Sequence, residues 1–466
     1  MHVRPTTLRG PDIDGPLAQL RAALELPAAF PADVLTEAGA AATATAWRAE
    51  RRDATDLPLV TLDPPGSRDL DQAFALERSP TGFVVWYAIA DVAAFVAPNG
   101  CVDAEARRRG ETLYLPDGRI PLHPPSLSEG AASLLPNEDR PAVLWRVELD
   151  GDGEPTATDV RRALVRSRGQ LDYPSLRAGE TFRLLRDVGT VRQQRERARG
   201  GVSLPVPEQQ VVGSGTDWQL DYRAPLPVED WNAQLSLLTG MAAAQLMLSA
   251  KVGLLRTMPP PDPETLASLR RSAGALRVSW PEGSSYADVV RRLDPNVPAD
   301  AALLRLASVL FRGAAYVAFD GSAPALTTHS AVAAPYAHAT APLRRLGDRY
   351  VSEVCLAICA GHAVPDWARA ALPVLPEVMA GSDQRAHRVD RAVVDLAEAL
   401  LLSGHVGEVF DGVVVEARGR AGEVQLAEPA VRGRIDGADL PLGQEIKVRL
   451  AEVDVVKRSV VFQPLR

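Results

Sequence analysis

Asp63-Pro-Pro-Gly-Ser-Arg-Asp69-Leu-Asp71-Gln72 sets three carboxylates around a Pro-Pro-Gly turn. The stretch follows Leu59-Val-Thr-Leu62, a β-branched run that reads as a strand. The turn folds the chain so that Asp63 faces Asp69 and Asp71. Three carboxylates that close repel one another unless some are protonated or a cation neutralises them. Hard oxygen donors of this kind suit Mg²⁺, which takes a few carboxylates and keeps water or phosphate oxygens in its other positions. Two such ions clamp the attacking and leaving oxygens of an in-line phosphodiester displacement. The same residue types also describe a solvated acidic turn, because Asp, Pro and Gly favour turns. A calcium-binding EF-hand loop does not fit, since its glycine and distal glutamate are missing.

Working outward, Phe83–Ile89 and Val143–Leu149 read as further strands, the second ending in the turn Asp150-Gly-Asp-Gly153. Residues 160–200 read as helical and rich in arginine. An apolar helix is expected at Trp231–Val252; Asn232, Gln234, Ser236, Thr239 and Gln245 mark it as a core helix and not a membrane span. Helices are expected again at 262–275, 299–319, 342–360 and 383–402. Ahead of the cluster, residues 1 to about 55 look helical, with one helix near Leu17–Leu26 and another from Pro31 to Ala41. That pair is compatible with a small helix-turn-helix and with a packed leader. Residues 404–466 carry five short apolar segments, Val409–Glu416, Val424–Leu426, Gly433–Ile435, Ile446–Val453 and Val460–Phe462, with Gly412, Gly419, Gly422, Gly437 and Gly443 at the bends. Five short strands in so short a stretch predict a closed barrel of the oligonucleotide-binding (OB) type. The fold class expected is α+β: a helical N-terminal segment (1–56), a mixed α/β body (57–402) and a C-terminal five-stranded barrel (404–466).

Bulk composition narrows the function. The chain has 466 residues, 46% hydrophobic, with a net charge of −8. That charge argues against a protein coating nucleic acid with its whole surface, though a local basic channel is compatible with it. Lysine is confined to Lys251, Lys447 and Lys457, so the positive charge is almost all arginine, which suits bidentate phosphate contact. No run of about 18 uninterrupted apolar residues is present, and no apolar leader is visible near the N-terminus, so a cytoplasmic address and no membrane contact are expected. Three cysteines make no disulfide framework, and Cys355 and Cys359 read as packing residues.

The resemblance that these motifs carry is to the ribonuclease II/ribonuclease R family, the RNB-domain exoribonucleases. The carboxylate stretch resembles the family pattern Asp-x5-Asp-x-Asp-Asp-Ala-Phe. It continues through Ile89-Ala-Asp-Val92, Asp103-x-Glu-Ala106, Arg109-Gly110, Tyr114-Leu-Pro116, Ile120-Pro-Leu122, Leu127-Ser128, Ser133-Leu134 and Arg140. A second block, Tyr336-Ala-His338-Ala-Thr340-Ala-Pro342-Leu-Arg344-Arg345-x2-Asp348, resembles the family's arginine motif. The likeness covers roughly residues 27–402, and the C-terminal barrel is similar to the family's RNA-binding barrel.

What the resemblance implies is a hydrolytic 3′→5′ exoribonuclease acting on single-stranded RNA, with one or two Mg²⁺ ions and no obligatory protein partner. Asp63, Asp69 and Asp71 fall on its metal-site aspartates, and hydrolysis depends most on the position of Asp71. Arg344 matches the arginine that neutralises the scissile phosphate, Arg345 joins it as a substrate contact, and Tyr173 matches a tyrosine that stacks on the terminal bases. Gln72 replaces the fourth aspartate; its carbonyl can ligate a metal without bringing charge. That departure keeps open a non-catalytic RNA-binding protein on the same fold. Ala341 replaces a serine of the second block. His338, His329 and Asp91 are expected to be structural, and Arg107–Arg109 reads either as a phosphate contact or as a solvated helix face.

Overall fold

The computed structural model describes residues 10–49, 51–203, 208–223, 225–426 and 428–465. Its central sheet has the order Arg52–Asp53, Pro155–Arg166, Asp139–Asp150, Gly82–Ala90, Gln72–Ser79. Every pair is antiparallel except the first. Alternation assigns the faces. Phe74, Leu76, Val85, Tyr87, Ile89, Val143, Trp145 and Val147 enter one core, while Ala73, Ala75, Ala88, Ala90, Ala142 and Leu144 enter another. Both faces are therefore covered, which is why Phe83–Ile89 is a continuous apolar run and not an alternating one.

The large-side-chain face packs against the helices Pro227–Ala250 and Leu346–Ala360. By length and composition alone Pro227–Ala250 is apolar enough to cross a membrane, but half of its apolar window is buried inside the molecule. The alanine face admits the helix Ala32–Thr43 closely through Val34 and Ala38. The helix Asp14–Ala23 joins a different core, with Ile13, Leu17 and Leu20 set against the long helix Leu375–Leu402 and the ribbon Glu208–Ser214/Asp217–Arg223. The two N-terminal helices thus serve separate cores. The first nine residues of that expected helical segment lie outside the described residues.

The mixed α/β body with a C-terminal closed five-stranded barrel is the expected class. The barrel order is Val409–Arg418, Ala421–Leu426, Arg432–Asp436, Ser459–Pro464, Glu445–Asp454, with one parallel pair between the third and fourth of these. Gly419 and Gly443 do turn the chain with positive φ. Gly412 and Gly422 instead lie inside strands. Local readings fail in two places. Residues 160–166 belong to the strand Pro155–Arg166, and the arginine-rich helix begins only at Glu180. The expected helix 299–319 ends in a short 3₁₀ turn, and Ala315–Asp320 pairs as a strand with Val252–Thr257.

Candidate active site

The carboxylate loop is closed by pairing on both sides. Val60 bridges Phe74, while Thr61–Asp63 runs parallel to Gln170–Asp172 with Asp63 opposite Asp172. This register sets Tyr173 beside Asp63 and brings the two ends of the loop together. Leu70, fully buried, anchors the loop's middle. Its N–H donates to Ser133 Oγ (3.0 Å), its carbonyl accepts from Leu134 N (3.0 Å), and Ser133 Oγ donates to Arg68 O (2.6 Å). The loop's backbone groups are thereby satisfied from within, and Asp69 and Asp71 flank a fixed point.

The arginine block arrives from the far end of the chain. Leu343 N donates to Asp71 Oδ1 at 2.7 Å, and Arg344 Nε lies 3.4 Å from Asp71 Oδ2. Asp348 braces this turn by accepting from Ala341 N (2.8 Å). Thr112 N on Arg344 O and Leu346 N on Gly110 O tie it to the neighbouring loop. Gly110 is required there: its φ is +75°, and a Cβ would come within 2.4 Å of Ser382 Cβ. Arg344 keeps 44% of its side chain exposed against 4% for Asp71, so the guanidinium reaches outward from a buried carboxylate.

Burial, opposed by Arg344, pushes the Asp71 carboxyl up to about 8 and Asp63 up to about 6; Asp69 raises both further. Asp63 Oδ2 is buried without a hydrogen-bond partner. An orphaned carboxylate oxygen in a loop that also holds buried Asp71 is what a hard cation would relieve, so the donor set fits Mg²⁺. As the side chains stand, no three His, Cys, Asp or Glu among the described residues are close enough to hold an ion unaided. Asp69 is drawn aside by Arg119 Nη1 (2.6 Å) and the Tyr114 hydroxyl (3.2 Å).

Two residues expected at the site have protein partners in this structure. Gln72 was expected among the metal ligands, but its one ligating atom, Oε1, accepts from the Tyr87 hydroxyl and from Ser236 Oγ (3.1 Å). Arg345 was expected to bind substrate; its Nε and Nη2 instead donate to Asp348, which is fully buried and needs a counter-charge. Tyr173 is half-buried at the edge of the first core, its hydroxyl accepting from Asn232 Nδ2 at 3.2 Å.

Tyr87, Tyr114, Arg119, Asn232 and Ser236 were not singled out as site residues. Asn232 and Ser236, two polar residues one helical turn apart on a largely apolar helix, were the signal that could have found two of them. His338 is partly buried, and its desolvation holds the imidazole neutral, with Nδ1 on the Tyr316 hydroxyl (2.6 Å). Asp91 pairs with Arg51 and Arg162, both at 2.6 Å. Arg107, Arg108 and Arg109 pair with Asp103 or Glu105, and Arg109 is buried, so neither reading of that triplet describes it fully.

A groove of about 1460 Å³ leads away from the site. Tyr114, whose hydroxyl touches Asp69, lines its near end, and Arg391, Arg418, Arg432, Arg434 and Arg458 line it along the long helix and the barrel.

A carboxylate loop whose buried aspartate is capped by an arginine, in a mixed α/β body that carries an OB-like barrel, defines a class. The profile described as RNB domain matches residues 51–360, and that described as RNase II-type exonuclease C-terminal S1 domain matches residues 408–465. The chain belongs to the RNB-domain family. It is 25% identical to Ribonuclease R of Thermotoga maritima over 458 residues, covering 92% of this chain and 64% of that protein, so it spans less than two thirds of that relative's length. Its fold superposes on Mycoplasma genitalium RNase R in complex with ribose-methylated single-stranded RNA with a TM-score of 0.85 at 21% identity, covering 97% of this chain and 78% of that one. Yeast Ssd1, a pseudonuclease, shares the fold with a TM-score of 0.68 at 16% identity, over 88% of this chain and 52% of that one.

Proposed function

We propose that this chain is a hydrolytic exoribonuclease that shortens single-stranded RNA from its 3′ end, releases nucleoside 5′-monophosphates and uses Mg²⁺. The observation that carries the reading is Arg344 Nε within 3.4 Å of buried Asp71 at the mouth of a loop that also holds Asp63 and Asp69. Bound to those carboxylates, Mg²⁺ would lower the pKa of an attacking water and offset charge on the phosphate. Asp71 and Asp63 would hold it, and the burial of Asp71 limits the access of competing water.

Arg344 extends from Asp71 towards solvent, where the scissile phosphate must lie. Its fork of donors neutralises the charge that builds on the non-bridging oxygens in the transition state. Tyr173, fixed by Asn232, offers a ring beside Asp63 on which the terminal base stacks. The chain upstream of that base follows the groove past Tyr114 to the barrel arginines, which contact its phosphates. RNA is preferred to DNA through its 2′-hydroxyls.

One observation favours a second reading, a non-catalytic RNA-binding protein. Gln72 brings no charge to the cluster, and its oxygen is engaged elsewhere. The two readings separate with 5′-labelled RNA and the matching DNA, each incubated with Mg²⁺ and with either the wild type or Asp71→Asn. The proposal expects a ladder on RNA alone, abolished in the variant. RNA that shifts in a gel yet keeps its full length in the wild type would reject hydrolysis in favour of binding.

A further inference from the structure

Arg119 stands among the carboxylates with no part in the chemistry above. It sits in the strand Gly118–Ile120, and its donors divide unequally. Nε and Nη2 grip Glu129 Oε1 at 3.0 and 2.9 Å, whereas Nη1 alone donates to Asp69 Oδ1 at 2.6 Å. The guanidinium is therefore moored on Glu129 and lends one donor to Asp69. With the Tyr114 hydroxyl on Oδ2, both Asp69 oxygens are engaged by protein donors.

The charges around the centre also balance in an unusual way. Four carboxylates (Asp63, Asp69, Asp71, Glu129) meet three guanidiniums, Arg119, Arg344 and Arg68, the last 3.7 Å from Glu129. With all four carboxylates ionised, as a bound divalent cation would hold them, the protein groups sum to one net negative charge, because Gln72 adds none. A single divalent cation reverses that sign by one unit, and one phosphodiester anion then restores neutrality. A second divalent cation would leave a large positive excess in a partly buried site, where charge is poorly screened.

We infer that Arg119 is a resident cation at Asp69, standing where a second divalent ion would otherwise be needed, so that the centre takes one divalent ion on its Asp63–Asp71 side. The inference rests on the metal-dependent reading above and adds to it a fixed stoichiometry and the residue that sets it. Arg119 is a positioning residue: it touches Asp69 and not the substrate. Its mooring also gives a direction to test. Without Glu129 the guanidinium has Asp69 as its remaining anion and competes harder there with any incoming ion.

The experiment counts bound Mn²⁺ from the loss of the free-ion electron paramagnetic resonance signal, on the full chain without RNA. Circular dichroism checks that each variant is folded. The wild type should bind one Mn²⁺ that Asp71→Asn removes. Arg119→Lys should keep the count at one, and Arg119→Gln combined with Gln72→Asp should raise it to two. Glu129→Gln should weaken the single ion by about tenfold, because it removes a negative charge from a partly buried centre and leaves the Arg119 cation less neutralised there. Two ions of similar affinity in a wild type that still shortens RNA would overturn the inference and leave the nuclease reading intact. An unchanged count in a folded Arg119→Gln/Gln72→Asp variant would also overturn it. No bound ion in the wild type, even at millimolar Mn²⁺, would remove both the inference and the metal-dependent reading.

Discussion

Arg344 and Asp71 make the account testable one side chain at a time. Removing a positioned donor from a developing oxyanion costs roughly 10²–10³ in turnover, so Arg344→Ala should lower kcat by about that factor while KM moves much less. Arg344→Lys should recover little, because a point charge does not reproduce the guanidinium fork. A steady-state comparison that finds the loss in KM instead would assign Arg344 to ground-state binding. The pH behaviour follows from burial. In the ion-free protein the Asp63 and Asp71 carboxyls titrate near 6 and 8, above an unfolded aspartate at about 3.9. The stability contributed by these protons is complete below about pH 4 and is lost as pH rises through about 6 and then about 8. Melting in EDTA should therefore show the wild type losing ground to Asp71→Asn across that window. Mg²⁺ should raise the wild-type Tm more near pH 8 than near pH 5, because ions and protons compete for the same oxygens. The structure brings together Asp71 and Arg344, which the sequence offered from two separate motifs, and sets Tyr173 beside Asp63. Arg119, Tyr87 and Ser236 escaped because they meet the cluster through tertiary contacts with no fixed spacing. The partners that Gln72 and Arg345 take in this structure were not legible, because a motif position does not reveal which neighbour takes a polar atom.

At the scale of elements, one buried carboxylate fastens three pieces together. Glu398, on the long helix Leu375–Leu402, accepts from Arg432 N of the barrel and from Gln209 Nε2 of the ribbon, both at 2.7 Å. Glu398→Ala would leave these donors unpaired, so it should cost about 1–3 kcal/mol in urea unfolding. A change within a few tenths of a kcal/mol would mean that water replaces the carboxylate without loss. The barrel was readable beforehand because its strands alternate and are punctuated by turns. Pro155–Arg166 was not, since its buried residues Val160, Ala163 and Val165 are interleaved with arginines that also suit a helix. The strand Ala315–Asp320 was lost for the opposite reason: its alanine-rich surroundings prolong the helical pattern, and only pairing with Val252–Thr257 fixes it as β.

At the scale of the whole molecule, the groove is lined by arginines and by the carboxylates Asp390, Asp395, Glu398, Glu416 and Glu423, and the net charge is −8. If the groove guides RNA, Arg391→Ala and Arg458→Ala should each reduce the slope of log affinity against log salt by about 0.7, the value for one phosphate contact on a single strand. An unchanged slope in fluorescence-anisotropy titrations would route the RNA elsewhere. The domain order was legible from texture, but the separate destinations of the two N-terminal helices were not, since amphipathic spacing marks a buried face without naming its partner. The central claim, that Asp63, Asp69, Asp71 and Arg344 form one centre that hydrolyses RNA, is tested most directly by digesting RNA in H₂¹⁸O with Mg²⁺ and weighing the products. The account predicts nucleoside 5′-monophosphates carrying one ¹⁸O from the wild type and none from an Asp71→Asn protein that still binds RNA. Products without ¹⁸O, products phosphorylated at the 3′ position, or undiminished release by Asp71→Asn would contradict it.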